Sequence, residues 1–62
     1  MPLYEFEGKR PTIHPSAWVA PSADIVGAVS VGPLCYVGWG AILRGDHGPI
    51  ELQEGTAVEE GV

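Results

Sequence analysis

Aliphatic residues recur at every sixth position through the middle of this chain. These aliphatic positions are Ile13, Val19, Ile25, Val31, Val37 and Leu43. A second series, made mostly of small residues, follows each of them by four positions: Ala17, Ala23, Val29, Cys35, Ala41 and His47. An α-helix repeats its apolar positions about every 3.6 residues and an ordinary strand about every 2, so neither gives this period. The pattern is typical of a parallel β-helix, in which each hexapeptide forms one short strand and one corner.

Three hexapeptides close one triangular coil, so residues eighteen apart are expected to stack about 4.8 Å apart along the axis. The sequence supports this at positions outside the six-residue pattern. The matching pairs are Pro15 with Pro33, Trp18 with Tyr36, and Gly27 with Gly45. We therefore predict two full coils, residues 13–30 and 31–48.

The phase of the repeat changes after Leu43. Pro49 stands where an aliphatic residue is expected, and the pattern resumes at Leu52 and Val58 with a shift of three residues. We expect residues 47–49 to bulge from a corner as a loop. Only part of a third coil follows, so the pattern predicts that the chain is the N-terminal part of a longer β-helix, or that another chain completes it.

The first twelve residues precede the repeat and have a different composition. Leu3, Tyr4 and Phe6 predict a short capping strand, and residues 8–11 a turn into the first coil. A cap would cover backbone groups that the first coil otherwise leaves unpaired. The predicted organisation is thus a cap over residues 1–12 and a hexapeptide-repeat β-helix over residues 13–62.

Composition and charge narrow the function classes. The net charge of −5, from eight acidic and three basic residues, argues against a nucleic-acid partner. The apolar runs are too short to span a membrane, and no secretory signal is visible at the start. The lone Cys35 falls in the small-residue series, which predicts a buried structural thiol in a reducing cytoplasm.

Few side chains suggest chemistry by themselves. Arg44 and Asp46 are alternate residues, so on a strand they point to the same face and form either a functional pair or a simple surface ion pair. His14 is predicted to be solvated, and His47 to swing out with the loop. Two histidines and an inward cysteine do not converge, so we predict no complete metal site within this chain.

The aromatic residues Trp18, Tyr36 and Trp39 fall at outward positions of the repeat. We predict that they stack along the coils or are covered in a trimer, in preference to forming a ligand platform.

Several of these motifs together resemble the start of a γ-class carbonic anhydrase or of one of its bacterial hexapeptide-repeat relatives. They are Arg44-Gly45-Asp46 with the loop after it, residues 55–61, and the hexapeptides at residues 13–17 and 19–23. The resemblance implies a left-handed parallel β-helix, an exception to the right-handed crossover rule. It also implies a homotrimer that acts on CO2 and bicarbonate, with Zn2+, Fe2+ or Co2+ held between subunits. The three metal-binding histidines of the family lie downstream of residues 55–61, outside this chain.

The resemblance also implies roles for three residues, which we predict to be catalytic: Arg44, Asp46 and Glu59. In the family, the arginine and aspartate join subunits and hold charge near the metal. Glu59 stands where the family has a glutamine facing the metal-bound water, and a carboxylate there could accept or relay a proton. Ala57 and Glu60 also replace polar residues common in the family.

Two other functions remain open. Hexapeptide repeats are shared with acyltransferases, which use a downstream histidine as base and a groove between coils for an acyl-CoA. The changes at residues 57–60 also fit a non-catalytic assembly subunit with a degenerate site. We expect the 62 residues alone to be inactive.

Overall fold

The computed structural model describes residues 2–62, and its regular structure is made entirely of β-strands. The strands are β1 (Leu3–Tyr4), β2 (Thr12–Ile13), β3 (Trp18–Val19), β4 (Asp24–Val31), β5 (Tyr36–Val37), β6 (Ile42–Leu52) and β7 (Ala57–Val58). All pairs between these strands are parallel. Residues 2–62 contain no helix that is long and apolar enough to cross a membrane.

The strand register confirms the coil of eighteen residues. Val19 lies beside Val37 in the β3–β5 pair, and Ile25 beside Leu43 in the β4–β6 pair. The match of Gly27 with Gly45 expected from the sequence is also a pair in this register. The predicted parallel β-helix is therefore the fold of this chain.

The coils have three sides. One side is formed by β3, β5 and β7, and the other two are formed by β4 and β6 together with β1 on one side and β2 on the other. We expected separate short strands, whereas β4 and β6 each continue through a corner. Gly27 has a φ of 75°, and the register of the β4–β6 pair shifts between Gly27 and Val29. The left-handed conformation, which glycine adopts at little cost, turns the chain there while the two strands remain paired on either side.

The core lies inside the prism and contains the two series predicted from the sequence. Its buried members are Ala23, Ile25, Val29, Val31, Cys35, Val37, Ala41 and Leu43. The aliphatic residues of the end coils, such as Val19 and Val58, pack against this core but are only half-buried. The thiol of Cys35 points inward and donates to the carbonyl oxygen of Gln53 at 3.0 Å.

The phase change after Leu43 has the length that the sequence pattern predicts. Between the second and third coils, Val31 pairs with Leu52 and Val37 with Val58, a separation of twenty-one residues instead of eighteen. The three extra residues are 47–49, which are exposed. They form a bulge within β6 and not the separate loop that the sequence pattern predicts, because β6 stays paired with β4 on both sides of them. Side chains alternate between the two faces of a strand, so three extra residues in a regular strand would turn the following apolar side chains outward. The bulge accommodates the three residues, and the apolar side chains after it point inward again.

At the N-terminal end, β1 pairs with β4, with Leu3 beside Ile25. Phe6 lies outside β1 and starts a tight hairpin over residues 6–9. Its N–H and carbonyl both bond to Lys9, at 2.9 and 3.0 Å. Glu7 and Gly8 form the turn with φ values of 51° and 81°, the positive pair that a two-residue hairpin favours.

Serine side chains link the corners of successive coils. Ser16 Oγ accepts from the N–H of Leu34 at 3.0 Å, and Ser22 Oγ accepts from the N–H of Gly40 at 2.8 Å. In both cases the donor lies eighteen residues after the serine. These bonds satisfy backbone donors that the strand pairing does not reach.

We expect Ser22→Ala to lower the free energy of unfolding by about 1 kcal/mol, because the Gly40 N–H loses its partner. Ser30→Ala is the matched control, since Ser30 is exposed on β4, and its effect should stay within about 0.5 kcal/mol. Urea unfolding measures both. Equal effects of the two variants would contradict a role for the corner serines.

Candidate functional site

Arg44 and Asp46 form an ion pair on the outer face of β6. Arg44 Nε donates to Asp46 Oδ2 at 3.1 Å, and the Nη2 group of the same guanidinium donates to the same oxygen. The Asp46 side chain is only 12% exposed, whereas the Arg44 side chain is 63% exposed. The structure thus places both residues on one face, as their spacing predicts, with the carboxylate sheltered and the guanidinium open to solvent.

The pairing changes the ionisation of Asp46. The hydrogen bond from Arg44 lowers the pKa of the Asp46 carboxyl below its ordinary value, and this outweighs the opposing effect of desolvation. The backbone N–H of Asp46 also lowers the pKa. Asp46 is therefore ionised at neutral pH, and the pair is a charged one.

We expect Arg44→Gln to raise the pKa of Asp46 back toward its ordinary value, because the largest cause of the shift is removed. A carboxyl whose pKa is lower in the folded state stabilises the fold above its unfolded pKa, and this contribution disappears as the pH falls through the folded pKa. The variant should therefore lose less stability than the parent on acidification below about pH 4. A carbon-detected NMR titration of Asp46 measures the pKa. An unchanged value would contradict the pairing.

A pocket of about 150 Å³ opens beside Asp46, between the residue 6–9 hairpin and the residue 47–49 bulge. The pocket exists because the three-residue bulge projects from the corner next to the hairpin. His47 lies on its wall and is exposed, as the sequence predicts.

Glu59 is placed differently from the ion pair. It directly follows β7, on the side formed by β3, β5 and β7, and it is exposed. Arg44 and Asp46 lie on β6, which belongs to the other sheet. Within residues 2–62 the hydrogen bonds of Arg44 and Asp46 do not include Glu59, so the three predicted site residues do not form one cluster in a single chain.

Glu60, the neighbour of Glu59, makes a contact that the sequence analysis missed. Tyr36 Oη donates to Glu60 Oε2, which raises the pKa of the Tyr36 hydroxyl and lowers the pKa of the Glu60 carboxyl. The same carboxylate lies over Gly38, where a Cβ atom would come within 2.6 Å of Glu60 Oε2. Between the second and third coils, paired residues are twenty-one apart, which matches Trp39 with Glu60. This spacing is the sequence signal from which the position of Glu60 beside this corner could be predicted.

The aromatic residues stack along the coils, as predicted. The rings of Trp18 and Tyr36 are stacked with centroids 5.3 Å apart and planes 16° apart. Trp39 meets Trp18 edge to face at 5.8 Å. Trp18 and Trp39 nevertheless remain 44% and 51% exposed, which leaves an aromatic surface on this side of the prism.

The histidines are positioned separately. His14 is exposed, and its Nδ1 accepts from the backbone N–H of Ser16 at 3.1 Å and lies 2.9 Å from Ser16 Oγ. Within residues 2–62, no group of three or more His, Cys, Asp or Glu side chains is arranged to hold a metal ion. The described residues therefore do not form a metal site by themselves.

The eighteen-residue register, the inward aliphatic series and the single bulge together define a parallel β-helix of the hexapeptide-repeat class, and the similar proteins support its left-handed winding. Comparison with known proteins agrees. The chain is 46% identical over 61 residues to the carnitine operon protein CaiE of Escherichia coli strain K12 / DH10B, and equally to that of strain SMS-3-5. Each match covers 98% of this chain and 31% of the relative. The chain is thus similar over nearly all of its length to the first third of these CaiE proteins.

Solved structures show the same fold. A hexapeptide transferase family protein from Anaplasma phagocytophilum superimposes with a TM-score of 0.95 and 33% identity, over 97% of this chain and 36% of that one. A putative acetyltransferase from Bacillus cereus superimposes with a TM-score of 0.93 and 29% identity, over 95% of this chain and 34% of that one. No family model matches. The chain thus spans about a third of the length of the proteins it resembles.

Proposed function

We propose that this chain is the N-terminal part of a cytoplasmic, homotrimeric metalloprotein of the γ-carbonic-anhydrase type, which catalyses the reversible hydration of CO2. One observation carries the proposal. The charged Arg44–Asp46 pair is held on β6 directly before the three-residue bulge, the arrangement on which the family resemblance rests.

The geometry of the pair suits a subunit interface. Both Arg44 donors that bond within the chain go to one oxygen of Asp46, and the guanidinium carries five N–H donors in all. Because the arginine side chain is largely exposed, its remaining donors are free for a carboxylate or carbonyl of a neighbouring subunit. Asp46 fixes the direction of the guanidinium and compensates its charge before assembly.

Glu59 is the proposed proton acceptor. Its carboxylate is exposed and, unlike Glu60, has no hydrogen bond to Tyr36. A mobile, solvated carboxylate can pass protons between a site and the solvent. The neighbouring Glu60 is already bonded and has a structural part in joining two coils.

The metal that the family implies, Zn2+ or else Fe2+ or Co2+, is part of the proposal, but residues 2–62 do not supply its ligands. The chain's contribution to the site is then the charged pair, the exposed Glu59 and the rigid coils that position them.

An acyltransferase is the second candidate. It is favoured by the two structural neighbours, which are described as a hexapeptide transferase family protein and a putative acetyltransferase. A third candidate, a non-catalytic assembly subunit, is favoured by the residue types at Ala57, Glu59 and Glu60.

Metal content, CO2 hydration and acetyl-CoA binding of the purified full-length protein separate the three candidates. We expect bound metal and a CO2 hydration rate that falls at least about tenfold in Arg44→Ala. Arg10→Ala is the matched control, because Arg10 is also an exposed arginine in an ion pair, but it pairs with Glu5, at 3.9 Å, and not with Asp46. Acetyl-CoA binding without CO2 hydration would instead support the transferase, and neither activity would support the assembly role.

A further inference from the structure

The pocket beside Asp46 has a lining that the proposed CO2 chemistry does not use. Part of the lining comes from the hairpin with Phe6, Glu7 and Lys9, and part comes from the bulge with His47 and Pro49. Its floor is the corner where Gly45 packs against Ala28, at a distance too short for any side chain at Gly45. The pocket is therefore built from three separate segments of the chain.

Two opposite charges at the pocket lack partners within the described residues. The ion pairs of residues 2–62 join Arg10 to Glu5 and Arg44 to Asp46, so Lys9 and Glu7 have no oppositely charged group within 4.0 Å. Glu7 and Lys9 are only two residues apart and still do not pair with each other. The charge of Asp46, which also lines the pocket, is already compensated by Arg44.

The size and the remaining lining limit the occupant. A cavity of about 150 Å³ holds a molecule of about the size of benzene. Phe6, Ala28 and Pro49 supply apolar surface between the charged groups. An anion alone would leave Glu7 without a partner and in repulsion, and a cation alone would do the same to Lys9.

We propose that this pocket binds a small zwitterion, an ammonium and a carboxylate joined by a short alkyl chain. The carboxylate pairs with Lys9, the ammonium pairs with Glu7, and the alkyl chain packs on Phe6 and Pro49. Lys9 and Glu7, the two charges that would bind the zwitterion, have no part in the proposed CO2 hydration, although Asp46 lines the same pocket.

Three probes of similar size test the proposal on the full-length protein. They are 4-aminobutyrate, which carries both charges, butyrate, which carries the negative one, and butylamine, which carries the positive one. Chemical-shift titrations at low ionic strength give the dissociation constants from the amide signals of the hairpin and of Gly48. We expect 4-aminobutyrate to bind at least about fivefold more tightly than either of the other two.

Two variants assign the charges. Lys9→Gln should weaken 4-aminobutyrate binding about fivefold and leave butylamine binding as tight or tighter, because a repelling charge is removed. Glu7→Gln should weaken 4-aminobutyrate binding about fivefold and leave butyrate binding as tight or tighter for the same reason. Glu5→Gln is the matched control, because Glu5 lies on the same segment outside the pocket, and it should not alter binding. Equal affinities for the three probes, or equal effects of Glu7→Gln and Glu5→Gln, would overturn the proposal.

Discussion

Ile25→Ala is expected to lower the free energy of unfolding by about 3 kcal/mol, the largest effect among these single substitutions. Ile25 is completely buried and lies between Leu3 and Leu43 on one side of the prism. Removing its side chain leaves a cavity bounded by paired strands above and below, and these cannot move together without breaking their hydrogen bonds. Protein domains are stable by only about 5 to 15 kcal/mol, so a loss of this size removes a large part of the stability.

Ile42→Ala is the matched control for this substitution. Ile42 is also an isoleucine in a long strand, β6, but it points outward and is 55% exposed. Its loss should stay below about 1 kcal/mol. Urea unfolding followed by circular dichroism compares the two variants. Similar losses in both would show that the inward series does not form the stabilising core.

Gly45→Ala is expected to lower the free energy of unfolding by about 2 to 3 kcal/mol, although it adds only a methyl group. A Cβ atom at Gly45 would lie 2.6 Å from the carbonyl oxygen and 2.9 Å from the nitrogen of Ala28. Both are backbone atoms of the neighbouring coil, so no side chain can rotate away to make room. Because Gly45 stands between Arg44 and Asp46, the displaced backbone should also weaken their ion pair and raise the pKa of Asp46.

Gly48→Ala distinguishes this close contact from the general effect of replacing a glycine. A Cβ atom at Gly48 would meet nothing within 4 Å, and its φ is not in the left-handed region. We expect a change within about 0.5 kcal/mol in either direction. Thermal unfolding of both variants, together with the Asp46 titration, tests the prediction. A Gly45→Ala variant as stable as Gly48→Ala would contradict the close packing of the corner.

The structural features behind these two pairs of substitutions differ in how far the sequence predicts them. The burial of Ile25 and the exposure of Ile42 follow directly from the period of six. The stacking of Gly45 follows from the eighteen-residue coil, but the approach of Ala28 does not. That approach arises because β4 and β6 continue through a corner at Gly27, where separate strands were expected.

The candidate site was predictable in part. The spacing of Arg44 and Asp46 on one strand was enough to put them on one face, and their hydrogen bonds agree. The contact between Tyr36 and Glu60 was not predicted, since it joins residues twenty-four apart and depends on how far a long side chain reaches around a corner. The pocket was not predicted either, because the residue 6–9 hairpin lies outside the repeat and has no register in it.

The sequence alone determined which side chains point inward, the length of each coil and the three-residue shift after Leu43. A repeat encodes these because each inward residue must meet the residues one coil before and one coil after it. Only the tertiary structure decided which outward side chains meet, namely the Tyr36–Glu60 contact and the pocket between Lys9 and His47. Outward positions are free of the packing constraint that creates the repeat, so their contacts depend on the path of the chain at corners, loops and the N-terminal hairpin.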